Sequence, residues 1–242
     1  MPDRVRSLPP RSASVKDDWC AWLPEEKLSV FTAYQQQLEA AYAMLSVSLN
    51  EAIELRRDGR PSKASQVVCM LPSLCTRLTN PLVGLLRGLA EHAKHHGLVP
   101  NAAPLDPANF RGHRGQWSAR MSGLLGRVLL SQRTHYFQKL STLHEMVEDL
   151  GKDIREDVKD IIEGTSPSPE ANWRALDANH FDLNTCFREA IVLLKSFLLV
   201  LPDGQLAAFQ DAVVNQTGGS VPTASSRSRI LRHRRIAQIA GE

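Results

Sequence analysis

Eight histidines carry most of the chemistry open to this sequence. His92, His95 and His96 crowd one stretch directly after Glu91. His92 and His96 stand one helical turn apart, a spacing that puts two imidazoles on one face where they could share a transition metal. His144 and Glu148 have the same spacing. His135 heads the run His135-Tyr136-Phe137-Gln138-Lys139-Leu140-Ser141-Thr142-Leu143. An imidazole exposed on a rigid helix, with an acid or amide to orient its ring, can carry a phosphoryl group. His180 falls among apolar neighbours, where the ordinary role of a lone His is a hydrogen-bonded place in the core.

The pairs His92/His96 and His144/Glu148 resemble the H-x-x-x-H and H-x-x-x-E pairs of hemerythrin-like bundles. They occur in the opposite chain order, and the other ligands of that family are absent. Such a resemblance implies a metal held between helices. The run from His135 to Leu143 resembles the phospho-acceptor helix of sensor histidine kinases, which implies a stand-alone phosphotransfer protein with His135 as acceptor. Tyr136 stands where that family carries an acid, and no Gly-rich ATP-binding domain follows. The ferritin-like di-iron arrangement requires Glu-x-x-His on two helices. The chain offers one Asp177-x-x-His180 and no Glu-x-x-His. A G-x-x-x-x-G-K-[ST] phosphate loop, G-x-G-x-x-G, H-E-x-x-H and G-x-S-x-G are all absent.

These histidines must sit on helices, because apolar residues recur at steps of three and four. The first helix is expected from Pro24 as its N1 residue, through Leu28, Phe31, Leu38, Tyr42, Leu45, Leu49 and Ala52, to Asp58-Gly59. Gln35 is the polar member of that stripe. A second helical segment starts at Pro61 and runs through Val67, Leu71, Leu74 and Leu78, with a kink at Pro72. Asn80-Pro81 reads as an N-cap and N1 that restart a helix to about His96. A long third helix is expected from about Gln116 to Glu163, with Gly151 as its bend. Its rows are Leu129/Tyr136/Leu143/Leu150 and Leu140/Val147/Ile154/Ile161, and Arg133 is a polar residue on otherwise apolar rows. The fourth, from about Glu170 to Leu201, has the rows Trp173/His180/Phe187/Leu194/Leu201 and Leu176/Leu183/Ala190/Phe197. Asp203 is expected to cap a short last helix with Leu206, Phe209 and Val213.

Helices with narrow stripes bury them only against each other. The fold class is therefore all-α: an antiparallel up-down bundle of about four long helices plus a short C-terminal helix, with flexible basic termini. Residues 1–16 are Pro/Ser/Arg-rich and read as a disordered segment, 17–216 as the bundle, and 217–242 as a linker and basic tail. An overhanging third helix would need a partner, and a second copy making a homodimer is the simplest one.

Ordinary composition, with 43% hydrophobic and 23% charged residues, excludes a disordered, collagen-like, disulfide-dense or membrane-spanning chain. The net charge of +3 hides an uneven distribution. Residues 221–242 hold Arg227, Arg229, Arg232, Arg234 and Arg235 against Glu242, a local +4. The remaining residues carry 24 Lys+Arg against 25 Asp+Glu, a net −1. Those five arginines are the candidate binding residues. They suit a protein partner with an acidic surface first, and nucleic acid or an anionic membrane surface second, because the stacking aromatics of a single-strand binder are missing. Ile230, Leu231, Ile236 and Ile239 would make the tail a short amphipathic helix. Cys20, Cys69, Cys75 and Cys186 form no C-x-x-C pair and read as reduced, mostly buried thiols of a cytoplasmic protein. The N-terminal basic residues are followed by no apolar run, so no signal peptide is expected. The sequence therefore reads as a non-enzymatic interaction or adaptor bundle without a cofactor. The alternative is a phosphotransfer or metal-binding bundle using His135 or the His92/His95/His96 cluster.

Overall fold

The computed structural model describes residues 23–112, 132–165 and 168–217. Among them there is helix and no strand. Helix α1 spans Glu25–Arg57, α2 Pro61–Val68, α3 Leu71–His96, α4 Gln132–Glu163, α5 Pro169–Val200 and α6 Leu206–Thr217. Single 3₁₀ turns cover Pro107–Asn109 and Asp203–Gln205. The expected all-α bundle is what the chain forms. Residues 1–16, Cys20, and the tail from 218 to 242 with its arginines lie outside the described residues.

Pro24 precedes α1 in extended conformation and Glu25 is the first helical residue, one position later than expected. Glu25 and Glu26 occupy the first turn and Arg56 and Arg57 the last, each sign opposite to the helix end it faces. Gly59, at φ +71°, closes the helix in the left-handed region. The buried stripe of α1 is Lys27, Val30, Phe31, Tyr34, Leu38, Ala41, Leu45, Leu49 and Ala52. Tyr34 thus takes the place expected of Gln35, whose half-buried amide donates to Glu39 at 2.8 Å instead.

The prolines of the second segment act differently from expectation. The chain breaks at Cys69 and Met70, and Pro72 falls in the first turn of α3, where its missing N–H has no partner to lose. Asn80-Pro81 starts nothing. Pro81 lies inside a continuous α3. An interior proline costs about 3 kcal/mol, and burial of Leu78, Leu82, Leu85 and Leu86 on both sides of it offsets that cost. Gly97, at φ +64°, ends α3, with the Leu98 amide returning to Ala93 O at 2.9 Å.

Helix α4 passes through Gly151 without a break. A Cβ there would lie 3.3 Å from Thr79 Cγ2, so the glycine serves close approach to α3. The part of the expected third helix before Gln132, Leu129 included, lies outside the described residues. Over the described span α4 and α5 are equal at 32 residues each. All nine expected row positions from Trp173 to Leu201 are buried.

Cross-links set the directions. At one end of α1, buried Lys27 donates to Leu201 O at 2.5 Å and pairs with Asp203 at 2.9 Å. Asp203 therefore ties the 3₁₀ turn to α1 instead of capping α6. At the other end Arg56 pairs with Glu170 and lies over Trp173, 5.2 Å from the ring centre. Helices α1 and α5 are thus antiparallel. Lys139–Glu189 at 2.7 Å, Asn179–Asp157 at 3.1 Å and Asn172–Asp160 at 3.3 Å make α4 and α5 antiparallel too. Arg87 reaches His144 and Thr79 meets Gly151, which makes α3 antiparallel to α4. Helix α6 lies on the C-terminal half of α3, with Val213 seated on Gly88.

Candidate functional site

The expected site residues fall in separate places. His92, His95 and His96 form a true cluster at the end of α3. The rings of His92 and His96 are 4.3 Å apart and those of His95 and His96 4.7 Å apart. His95 and His96 are exposed, whereas His92 is only 5% exposed. Its ring meets Phe197 of α5 and Phe209 of α6 edge-on, both at 5.8 Å. Burial, then the repulsion of His96, lowers the His92 pKa below its ordinary value; the Gln205 amide opposes this and His95 adds to it. Among the described residues no three His, Cys, Asp or Glu side chains are placed to hold a metal ion. The stretch that spacing marks as a metal pair is instead the seat of α6.

His144 and Glu148 do lie together, but a guanidinium occupies the place of a cation. Arg87 Nε donates to His144 Nε2 at 2.7 Å, and Arg87 Nη2 to Glu148 Oε1 at 2.9 Å. The triplet joins α3 to α4. It edges an open groove of about 660 Å³ between these helices, whose lining includes Thr79, Asn80, Glu148, Lys152, Arg155 and Gln216. Several of its charges are spent on neighbours: Arg87 on Glu148, and Lys152 on Glu156 at 3.6 Å.

His135 is half-buried near the start of α4. Among the described residues no side chain hydrogen-bonds or ion-pairs with it, so the acid or amide that would orient a phospho-accepting ring is not supplied there. Its neighbour Tyr136 is wholly buried. His180 lies flat on Tyr42, with ring centres 4.9 Å apart and planes 9° apart. Burial lowers its pKa, against a smaller raising effect of Asp177. Of the described cysteines, Cys75 and Cys186 are buried thiols and Cys69 is exposed.

The most developed polar site was missed by spacing. Asp182, fully buried on α5, accepts the Arg111 amide at 2.5 Å through Oδ1 and the Gly112 amide at 2.6 Å through Oδ2. Thr185 Oγ1 donates to Asn109 O at 3.2 Å. Lys139, buried on α4, donates to Ala103 O at 2.7 Å while paired with Glu189. The Arg111 guanidinium lies 3.8 Å from the Phe181 ring centre. Two helices thus grip the backbone of 103–112, with Phe110 buried beneath it. Lys139 and Asp182 each directly precede a row residue, Leu140 and Leu183, and lie outside the rows themselves. These groups hold backbone and do not converge on a cleft.

No described helix is long and apolar enough to cross a membrane. No protein-family model, curated protein or solved structure matches the chain.

Proposed function

We propose that the chain is a non-enzymatic interaction module, a helical bundle that presents a rigid surface while Arg227, Arg229, Arg232, Arg234 and Arg235 engage an acidic protein partner in the cytoplasm. The observation that carries this reading is the charge distribution: five arginines within nine residues, set against a remainder of net −1. The bundle's polar chemistry agrees with a scaffold, since Lys27, Arg56, Arg87, Lys139 and Asp182 each join one element to another. A surface-bound acidic partner would be drawn in by long-range attraction that salt screens over about 10 Å at 0.1 M.

The test compares three polyanions against the full chain: poly-glutamate, duplex DNA and phosphatidylserine vesicles. The reading expects salt-sensitive binding of poly-glutamate that is lost when the five arginines become Gln. Tighter binding of DNA or vesicles at matched charge would move the partner to that class. Binding of none of the three would end the reading.

A further inference from the structure

We propose that His92 is a pH-sensitive latch: its neutral ring holds α6 on α3, and its protonation releases α6 and bares the face of α3 that carries Gly88 and His92.

The geometry comes first. Helix α6 has 12 residues, and a helix of that length is marginal in water without tertiary support. Contacts that hold it to α3 include Phe209 on the His92 ring, Val213 on Gly88, and Gln216 Nε2 donating to Glu91 at 2.9 Å. Gly88 is obligatory for the second, because a Cβ there would stand 2.5 Å from Val213 Cγ2 and 3.2 Å from Val213 Cα. The first contact is the one that titrates. His92 is seated between the edges of Phe197 and Phe209, and its Nε2 is buried with no hydrogen-bond partner. Gln205 Oε1, in the 3₁₀ turn that leads into α6, is also buried without one.

A proton on this ring places a charge between aromatic edges, with the uncharged Gln205 amide the group that favours it. Among the described residues no carboxylate is among the groups that shift it. The groups that α5, the 3₁₀ turn and α6 bring to the ring are Phe197, Gln205 and Phe209, all uncharged. The ionisable groups acting on it are His95 and His96 of its own helix, and both oppose the charge. The C-terminus of α3 favours cations, a pull that burial and the two neighbouring rings outweigh at His92. The sign follows. The docked state prefers the neutral ring, while the released state titrates at the ordinary value near 6.5. Docking is strongest above that value and weakens as pH falls through it, until the docked ring also protonates.

The experiment is amide exchange of the full chain, read by mass spectrometry from about pH 7.5 to about pH 5, a window spanning the ordinary His range. Rates are corrected for intrinsic chemistry. Peptides of 206–217 should lose protection on acidification, the direction that a His92 pKa lowered by docking implies. His92→Phe should keep them protected at every pH, and His96→Gln should blunt the acid release by removing a ring that repels the charge in the docked state. Gly88→Ala sets the level of a fully released α6. Flat wild-type protection overturns the latch, as does an acid loss that survives in His92→Phe. If His92→Phe does not fold, the ring signal of His92 in the wild type is followed by NMR. A shared midpoint with α6 release upholds the proposal, and separate midpoints overturn it.

Discussion

Replacing Asp182 with Ala tests whether the buried carboxylate holds 103–112 against the bundle. Two backbone amides donate to it at 2.5 and 2.6 Å. Hydrogen bonds to a charged group contribute about 1.5–3 kcal/mol each, so the pair sets a ceiling of about 3–6 kcal/mol on that scale. The freed amides of Arg111 and Gly112 are near the surface and regain water. The expected loss is therefore about 2–4 kcal/mol, below the ceiling. Gly112→Ala attacks the same contact from the other side: its Cβ would stand 2.7 Å from Asp182 Oδ2 and 3.3 Å from Asn179 Oδ1. Overpacking of that kind costs about 1–3 kcal/mol. The assay is urea denaturation of both variants, with amide exchange at 111 and 112 as the local readout. A loss under about 1 kcal/mol for Asp182→Ala, with exchange at 112 unchanged, would refute the clamp.

Leu143 and Leu194 are fully buried at mid-helix in α4 and α5, and Leu→Ala at either should cost about 2–5 kcal/mol in urea melts. His180 titrates low because burial disfavours its charged form, so the unfolded chain takes up the proton first as pH falls. Its contribution is present above the ordinary His range and is lost below it, and His180→Phe should flatten that part of the stability–pH curve. Burial pushes the Cys75 thiol up to about 11 and raises that of Cys186 as well. A thiol reagent at neutral pH should therefore modify exposed Cys69 quickly and reach Cys75 and Cys186 only on unfolding.

The helices were legible because their stripes are local: all nine expected row positions from Trp173 to Leu201 are buried, as are Leu143, Val147 and Leu150 of α4. Ends marked by Asp58-Gly59 and by Gly97 were legible for the same reason, since a left-handed glycine is a local requirement. What spacing missed was long-range. Asp182 and the amides of 111 and 112 are 71 and 70 positions apart, and Arg87 and His144 are 57 apart, so no window on one helix displays either pair. Pro81 misled because a proline's local cost was weighed without the burial around it. The histidine spacing found a real cluster but not its environment. Phe197 and Phe209, from two other helices, turn His92 from a metal-ligand candidate into a core residue.

The interaction reading stands or falls most directly on deletion of residues 221–242, which carry five arginines and lie beyond every described core residue. Poly-glutamate binding is measured by anisotropy across a salt series for the full and shortened chains, with urea midpoints taken in parallel. The account predicts that the full chain binds with affinity falling steeply as salt rises, as charge-driven binding does. It predicts that the shortened chain does not bind and keeps the same urea midpoint. Binding that survives the deletion, or a shortened chain that no longer folds, would contradict it.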